Sequence, residues 1–319
     1  MSGAALGLSV VLASFFVASS VAALAARGIS SWHRPCLAAL AASRLLRARV
    51  APSVLGIALA LGVVAPAFLR FEPRNTGEHV TVSLGLLASC ALVLLCSSAA
   101  RVLRELAHTR RLVRAWKSTA RRITLDQCPI PAYAIGTVFP VVAMVGVLRP
   151  RLFISAALLR RLTGPELSAV VRHEVGHLRA RDNLKRLLLS ASVDVLSWSR
   201  WGRDIEERWN EAAEDAADDH AVVHSTGLRV DLADALLKVA RLSGSLDLAC
   251  PTSALYRGEH VARRVRRLLA PPPSPGWRGT AGTSTFTGLA LGLGAGACVV
   301  AVTNPAVHAV LETIVQALP

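Results

Sequence analysis

The chain has 319 residues, of which 53% are hydrophobic and 18% are charged, and its formal net charge is +15. A mean hydropathy of +0.46 is too high for an ordinary soluble protein. A basic chain can bind nucleic acid, but basic residues beside long apolar runs more often mark cytoplasmic loops that face anionic lipid. The composition therefore predicts a membrane protein and disfavours direct binding of nucleic acid.

Three apolar runs precede residue 101, at residues 3–26, 51–69 and 80–100. The first run carries no charge and is long enough to cross a bilayer. Basic residues follow this run and none precedes it, which favours a spanning helix over a cleaved signal peptide. By the positive-inside rule we expect the amino terminus outside and residues 1–100 to form a domain with three transmembrane helices.

A basic stretch and a turn-rich stretch follow the third run. The basic residues after position 100 predict an amphipathic helix along the inner membrane surface, with Trp116 near the lipid headgroups. Residues 124–155 alternate apolar and turn-forming residues, which indicates short strands. The best strand candidates are Val141 to Val147 and Leu152 to Ser155.

A helix is predicted to begin at Thr163, which can cap it. Glu166 stands at the capping-box position, and Pro165 is tolerated in the first turn. Apolar residues then recur at helical spacing from Leu167 to Leu178. This pattern predicts a helix that is partly sunk in a core.

The predicted helix contains the pattern His-Glu-x-x-His at residues 173–177. Side chains four residues apart lie on one helix face, so His173 and His177 can direct their imidazoles at one ion. Glu174 is placed to accept a proton from metal-bound water. The pattern indicates a hydrolytic zinc site in which Glu174 is the general base.

A site with two histidines needs at least one more protein ligand. The acidic helix predicted from Asp204 to Val223 offers several, although most of its carboxylates are expected to form a solvated face. Two pairs have the i,i+4 spacing that puts both carboxylates on one side: Glu211 with Asp215, and Glu214 with Asp218. We favour Glu214 as the ligand, with Asp218 accepting the distal N–H of a ligand histidine, but spacing barely separates the two registers.

Four segments match one known family: Gly146 to Arg151, Leu162 to Leu167, His173 to Asp182, and Glu214 to Val222. They resemble the BlaR/MecR-type membrane metallopeptidases, the antirepressor peptidases of bacteria. In that family the last motif is Glu, three residues, then Asp after a small residue, so the resemblance assigns the metal ligand to Glu214 and the histidine partner to Asp218. Asp182 also matches a family position, for which we expect a structural role.

The segment between His177 and Glu214 is short, and we predict one packed or interfacial helix from Leu184 to Trp201. HtpX-like quality-control peptidases usually carry membrane crossings in this segment, so its length favours the BlaR/MecR-like layout. His220 is a candidate for contact with the substrate or the oxyanion, although a solvated or capping role is commoner for such a histidine.

The remainder of the chain predicts an amphipathic helix at 228–247, a basic helix at 257–269, a Pro-rich linker at 271–280, a fourth crossing at 281–303 and an outside tail at 304–319. The predicted fold is therefore a mainly α, multi-pass plasma-membrane protein with both termini outside. A cytoplasmic α+β, zincin-like domain with a small sheet would span residues 101–270. No penicillin-binding domain follows the fourth crossing, so we do not expect antibiotic sensing through one.

The resemblance implies a gluzincin-like metalloendopeptidase that binds Zn2+ through His173, His177 and Glu214. By the same resemblance its substrate is a cytoplasmic protein, a DNA-binding repressor of the BlaI/MecI type. Two other functions stay open: an HtpX-like quality-control peptidase of the membrane, and a non-catalytic signalling scaffold. The intact set of His173, Glu174, His177 and Glu214 argues against a scaffold.

Overall fold

The computed structural model describes residues 3–30, 37–71, 80–137, 139–223, 227–244 and 258–270, together with the single residues 309 and 313. All structural statements below concern these residues. The predicted linker at 271–280, the fourth crossing at 281–303 and nearly all of the tail lie outside them and stay predictions.

Long apolar helices form the N-terminal part of the fold. They are α1 (Gly3–Ser30), α2 (Ala38–Leu59) with its continuation through a π-helical turn (Ala60–Val64) into α3 (Ala65–Phe71), and α4 (Val82–Thr119). Pro66 lacks the N–H that an α-helix would donate four residues back, which accounts for the wider turn before it. The three stretches are long and apolar enough to cross a membrane, and each overlaps one of the predicted crossings.

Two of these helical stretches extend well beyond the predicted crossings. The second begins at Ala38 rather than residue 51, and α4 continues for 38 residues to Thr119. At about 1.5 Å per residue, α4 is roughly 57 Å long, whereas a hydrocarbon core is about 30 Å thick. The separate surface helix predicted after residue 100 is therefore wrong, because those residues extend the third apolar helix. Trp116 on this extension lies 5.3 Å from the Phe153 ring, so it packs against the sheet.

A four-stranded mixed sheet follows α4. The strands are β1 (Arg121–Ile123), β2 (Ala132–Ile135), β3 (Val142–Val145) and β4 (Arg151–Ser155). Their order is β1-β2-β4-β3, with β2 and β4 parallel and the other two pairings antiparallel. The two best strand candidates are confirmed as β3 and β4, and β3 lies at an edge of the sheet.

Six helices complete the described fold. They are α5 (Ala156–Arg161), α6 (Gly164–Ala180), α7 (Asp182–Ser190), α8 (Arg200–Val222), α9 (Gly227–Gly244) and α10 (Gly258–Leu269). The main core joins β2 and β4 to the apolar faces of α6, α8 and α9. It places one side of α6 in the protein interior, as the apolar stripe predicts.

The connection between α7 and α8 departs from the single helix predicted from Leu184 to Trp201. Helix α7 ends at Ser190, and only a short 3-10 turn, Val195–Trp198, precedes α8. Side chains of α4 bond the carbonyl groups that a longer helix would use: Ser98 donates to Ala191 O, and Arg101 donates to Ser190 O and Ser192 O. These bonds satisfy carbonyl groups that have no helical partner once α7 has ended.

Helix α2 holds the same connection through a buried ion pair. Arg49 is 1% exposed, and its Nη1 lies 3.0 Å from Oδ1 of the fully buried Asp194. Its Nε donates to Glu206 on α8 at 2.8 Å. Ser53 adds a hydrogen bond to Asp194. An apolar cluster beside it packs Ala42 of α2 against α8 next to Glu214, so a membrane helix and a site helix are tightly joined.

Candidate metal centre

Helix α6 places the two histidines. Thr163 and Glu166 form the predicted capping box at its start, and Lys238 of α9 holds the Glu166 carboxylate at 2.7 Å. The helix continues without interruption through His173 and His177 to a left-handed residue, Arg181. The two Nε2 atoms lie 3.2 Å apart, so both imidazoles face one point.

Helix α8 crosses close behind α6 and brings a carboxylate to the histidines. Gly176 permits this approach, because a Cβ there would lie 3.1 Å from Ala217 Cα. The oxygens of Glu214 reach 3.4 Å from His173 Nε2 and 3.5 Å from His177 Nε2. The structure thus brings together His173, His177 and Glu214 as a group that could hold a metal ion.

The possible ligand atoms of this group are close enough to share one ion, since one from each residue lies within 4.8 Å of the others. The two Nε2 atoms are 3.2 Å apart. Glu214 places Oε2 at 3.4 Å from His173 Nε2 and its other oxygen, Oε1, at 3.5 Å from His177 Nε2. Glu214 Oε2 is buried and accepts no hydrogen bond of good geometry from the described residues, although Arg264 Nη1 lies 3.1 Å from it. Two imidazoles and a carboxylate are a ligand set that suits zinc.

Each histidine has a carboxylate at its other ring nitrogen. Asp218 Oδ1 lies 2.9 Å from His173 Nδ1, and Asp182 Oδ2 lies 2.8 Å from His177 Nδ1. Such pairs fix the ring orientation and leave Nε2 for the metal. Asp218 therefore occupies the place predicted for it, while Asp182, for which only a structural role was expected, holds the second ring.

Charged and hydrogen-bonded neighbours together outweigh burial in setting the pKa values of the metal-free site. Burial lowers the pKa of His177, but bonds to Asp182 and Glu214 outweigh it and raise the pKa to about 10. Burial likewise raises the pKa of Asp218, yet Arg264 and His173 together lower it to about 2. The pKa of Glu214 also falls well below its usual range, against burial, through both histidines and Arg264. These carboxylates are ionised at neutral pH, as metal binding requires.

Helix α10 covers the acidic side of α8. Arg263 bonds Asp215 at 2.8 Å, and Arg267 bonds Asp219 at 2.6 Å. Most of the α8 carboxylates were expected to form a solvated face. Asp219 remains half exposed, whereas Asp215 is only 17% exposed and takes part in helix packing. Arg264, between the two arginines, turns inward to the metal group.

The candidate site opens into a small cavity of about 120 Å³. Glu174 lies on its wall beside both histidines and Glu214. The edge strand β3 forms one side of the cavity, and apolar residues of α9 and Val261 of α10 form the other. Asn183 Nδ2 donates to Met144 O of this strand. A carboxylate beside the metal group and a strand at the edge of a sheet are what hydrolysis of an extended peptide would need.

A protein-family model described as BlaR1 peptidase M56 matches residues 78–268, which is more than half of the chain. The chain belongs to this M56 family. The matched region runs from the start of α4 to α10 and includes every residue of the candidate metal group. Comparison with curated proteins finds no match. Membership of the M56 family implies peptidase activity, and the three apolar helices indicate a membrane protein.

His220 is the remaining candidate. It contacts α6 away from the cavity. Its Nδ1 lies 3.3 Å from Arg172 O, and its Nε2 lies 3.1 Å from Arg179 Nη1. It does not line the cavity that holds Glu174. The structure thus keeps it apart from the group formed by the other predicted site residues.

Sequence reasoning missed Arg264, which lines the cavity of this M56 peptidase. The one signal in the sequence was a basic helix after an acidic one, which predicts pairing between the helices. It does not identify which arginine reaches the site, because that depends on how α10 is rotated about its axis. The contact between Asp182 and His177 is local, since the two residues are five positions apart, and was therefore easier to predict from the sequence.

Proposed function

We propose that this chain is a membrane-embedded zinc metalloendopeptidase that hydrolyses a cytoplasmic regulatory protein. The observation that carries the proposal is the group of His173, His177 and Glu214, whose possible ligand atoms lie within 4.8 Å of one another, with Glu174 beside it. Zinc bound there would supply a Lewis acid that activates water and polarises the substrate carbonyl. The M56 family match supports peptide bonds as the substrate.

Glu174 would act as the general base and then as the general acid. Its carboxylate would take a proton from the attacking water and deliver it to the leaving amine nitrogen. Glu174 is 9% exposed and lies in the wall of this small cavity. Asp182 and Asp218 would hold the two imidazoles in the tautomer that directs Nε2 to the metal.

Strand β3 would bind the substrate backbone. Among the described strands only β4 pairs with β3, and it does so on one side. The opposite edge borders the cavity through Val142, Ala143 and Met144. An extended peptide added there would gain main-chain hydrogen bonds and pass beside the metal group.

The proposed orientation places the catalytic domain in the cytoplasm of a plasma-membrane protein, with both termini outside. The positive-inside rule supports this orientation, because arginine and lysine are concentrated at those flanks of the apolar helices that would face the cytoplasm. A repressor of the BlaI/MecI type is then the proposed substrate, since a cytoplasmic site could reach such a DNA-binding protein. The resemblance of the motifs to the BlaR/MecR-type peptidases supports that choice.

The test compares protein N-termini in cells that carry the wild-type chain or Glu174→Gln. We expect the variant to retain its zinc while cleavage is abolished, because only the proton-transferring group is lost. A new N-terminus in a DNA-binding repressor, found only with wild type, would identify the substrate. Cleavage at the normal rate by Glu174→Gln would refute the mechanism. Glu174-dependent fragments from many membrane proteins would instead indicate quality control.

A further inference from the structure

Arg264 is the one buried cation in contact with the candidate metal group among the described residues. Its side chain is 6% exposed, and its Nη1 lies 3.1 Å from Glu214 Oε2. Its Nε and Nη2 donate to the two oxygens of Asp218 at 2.9 and 2.6 Å. The guanidinium also passes 3.4 Å from His173 Nδ1. It therefore touches a predicted ligand, the partner of a ligand and a second ligand.

The contact with Asp218 is a fork that only arginine makes. Two parallel N–H groups of a planar guanidinium meet two carboxylate oxygens, which fixes both the position and the rotation of the carboxylate. Asp218 Oδ1 is at the same time 2.9 Å from His173 Nδ1. Arg264 thus orients His173 through Asp218, and its remaining nitrogen lies against Glu214, one turn earlier on α8.

We propose that Arg264 is a positioning residue that fixes the Glu214 and Asp218 carboxylates in the arrangement required for the metal. This inference rests on the proposed metal site. It makes α10 part of the catalytic unit, although the helix supplies neither a metal ligand nor the general base. The arginine comes 46 residues after Asp218, so the site is complete only after α10 has packed against α8.

A second role for the same cation would have the opposite consequence. A positive charge beside the metal group repels a divalent ion, so an arginine that acted only through its charge would weaken zinc binding. Its removal would then tighten binding. If Arg264 acts by positioning, its removal loosens two carboxylates and weakens binding. The direction of the change in zinc affinity decides between the two roles.

The neighbouring Arg263 provides a matched control. It lies on the same helix and pairs with Asp215 of the same partner helix at 2.8 Å. Its side chain is 35% exposed, and none of its described contacts reaches the metal group. Arg263→Met therefore removes an ion pair between α8 and α10 while leaving the fork on Asp218 intact.

The experiment measures zinc affinity of the full-length protein in detergent by competition with a chromogenic chelator, for wild type, Arg264→Met, Arg264→Lys and Arg263→Met. The visible absorption of the Co2+-substituted proteins reports ligand geometry independently of activity. We expect both Arg264 variants to bind zinc about 10- to 100-fold more weakly and to change the Co2+ spectrum. Arg263→Met should stay within about twofold of wild type.

Arg264→Lys separates the fork from the charge, because lysine keeps the charge but cannot form the bidentate contact. Wild-type affinity in this variant, or unchanged or tighter binding in Arg264→Met, would overturn the proposal. If circular dichroism shows that Arg264→Met does not fold, Arg264→Lys decides the question alone. A wild-type protein that binds no zinc would refute the proposed function itself, which is a distinct outcome.

Discussion

Each histidine of the site bonds a carboxylate that is itself paired with a cation. The two sets of residues differ in how far apart they lie in the sequence. His177 bonds Asp182, whose other oxygen accepts from Lys185, and all three residues lie within nine positions of one another. His173 bonds Asp218, which in turn is bound by Arg264. The first arrangement needs only the turn between α6 and α7, whereas the second needs three helices from distant parts of the chain.

Solvent distinguishes the two arrangements as well. The side chain of Lys185 is 25% exposed, whereas that of Arg264 is 6% exposed. A partly exposed lysine that loses its carboxylate partner can be solvated by water at little cost in free energy, but a buried guanidinium cannot. The comparison predicts that one half of the site tolerates loss of its ion pair, while the other depends on it for folding and for metal geometry.

The largest effect is expected from Asp218→Ala. This change leaves Arg264 buried without its fork, and removing one partner of a buried pair costs about 3–5 kcal/mol. The measurement is the free energy of unfolding in detergent. The double variant Asp218→Ala/Arg264→Met should recover most of the loss, since no buried charge is then left alone. A loss below about 1 kcal/mol in the single variant would show that water replaces the fork.

The next effect is a pH dependence of zinc affinity. Because its pKa is raised from 6.5 to about 10, His177 in the metal-free fold holds a proton that zinc must displace. Protonation stabilises the metal-free fold fully below pH 6.5, and this contribution is lost as the pH rises through 10. Zinc affinity should therefore fall about tenfold for each unit by which the pH is lowered, which is roughly 100-fold from pH 8 to pH 6.

A flat zinc affinity over that pH range would contradict the bonding seen at His177. Asp182→Asn is the matching control, because it removes the carboxylate that raises the pKa of the ring. Its pH profile should be shallower than that of the wild type.

A smaller change is expected from Asp182→Ala. The ring of His177 loses its orienting partner, and such losses typically weaken metal binding about 10- to 100-fold. The fold should lose only about 1–2 kcal/mol, because Lys185 can turn to solvent. Zinc competition and thermal unfolding measure the two effects separately. Destabilisation as large as that of Asp218→Ala would remove the distinction between the two halves.

The smallest effect belongs to Lys185→Met. Its ion pair with Asp182 is partly exposed and spans one helical turn, so its loss should cost less than about 1 kcal/mol. Zinc affinity should change by less than about twofold. The informative measurement sets this variant beside Arg264→Met under the same conditions. Equal damage from both would mean that exposure does not govern how these pairs act.

The difference between local and long-range contacts also explains which features could be predicted from the sequence. The capping box, the spacing of His173 and His177 and the length of α6 depend on neighbours within a few residues, and all three are found in the structure. The position of Glu214 required a resemblance, because the spacing on α8 allowed two registers. Arg264 was not predictable, because nothing local reports which face of α10 meets α8.

The fold shows the same limit at the membrane side. Hydropathy located three long helices, since length and apolar content suffice for that. Their ends were not predictable, because α4 continues to the sheet, where Trp116 packs on Phe153. At the break after Ser190 the carbonyl likewise accepts a hydrogen bond from Arg101, which lies 89 residues earlier in the chain.

The buried pair of Arg49 and Asp194 has a mechanical consequence. Sliding α2 by one helical turn, about 5.4 Å, would part the guanidinium from both Asp194 and Glu206 and strand charges in the interior. Translation of α2 alone is therefore opposed by this pair, so a displacement of α2 is expected to carry α8 and Glu214 with it. The close approach of α8 to Gly176 of α6 couples the histidines to the same displacement.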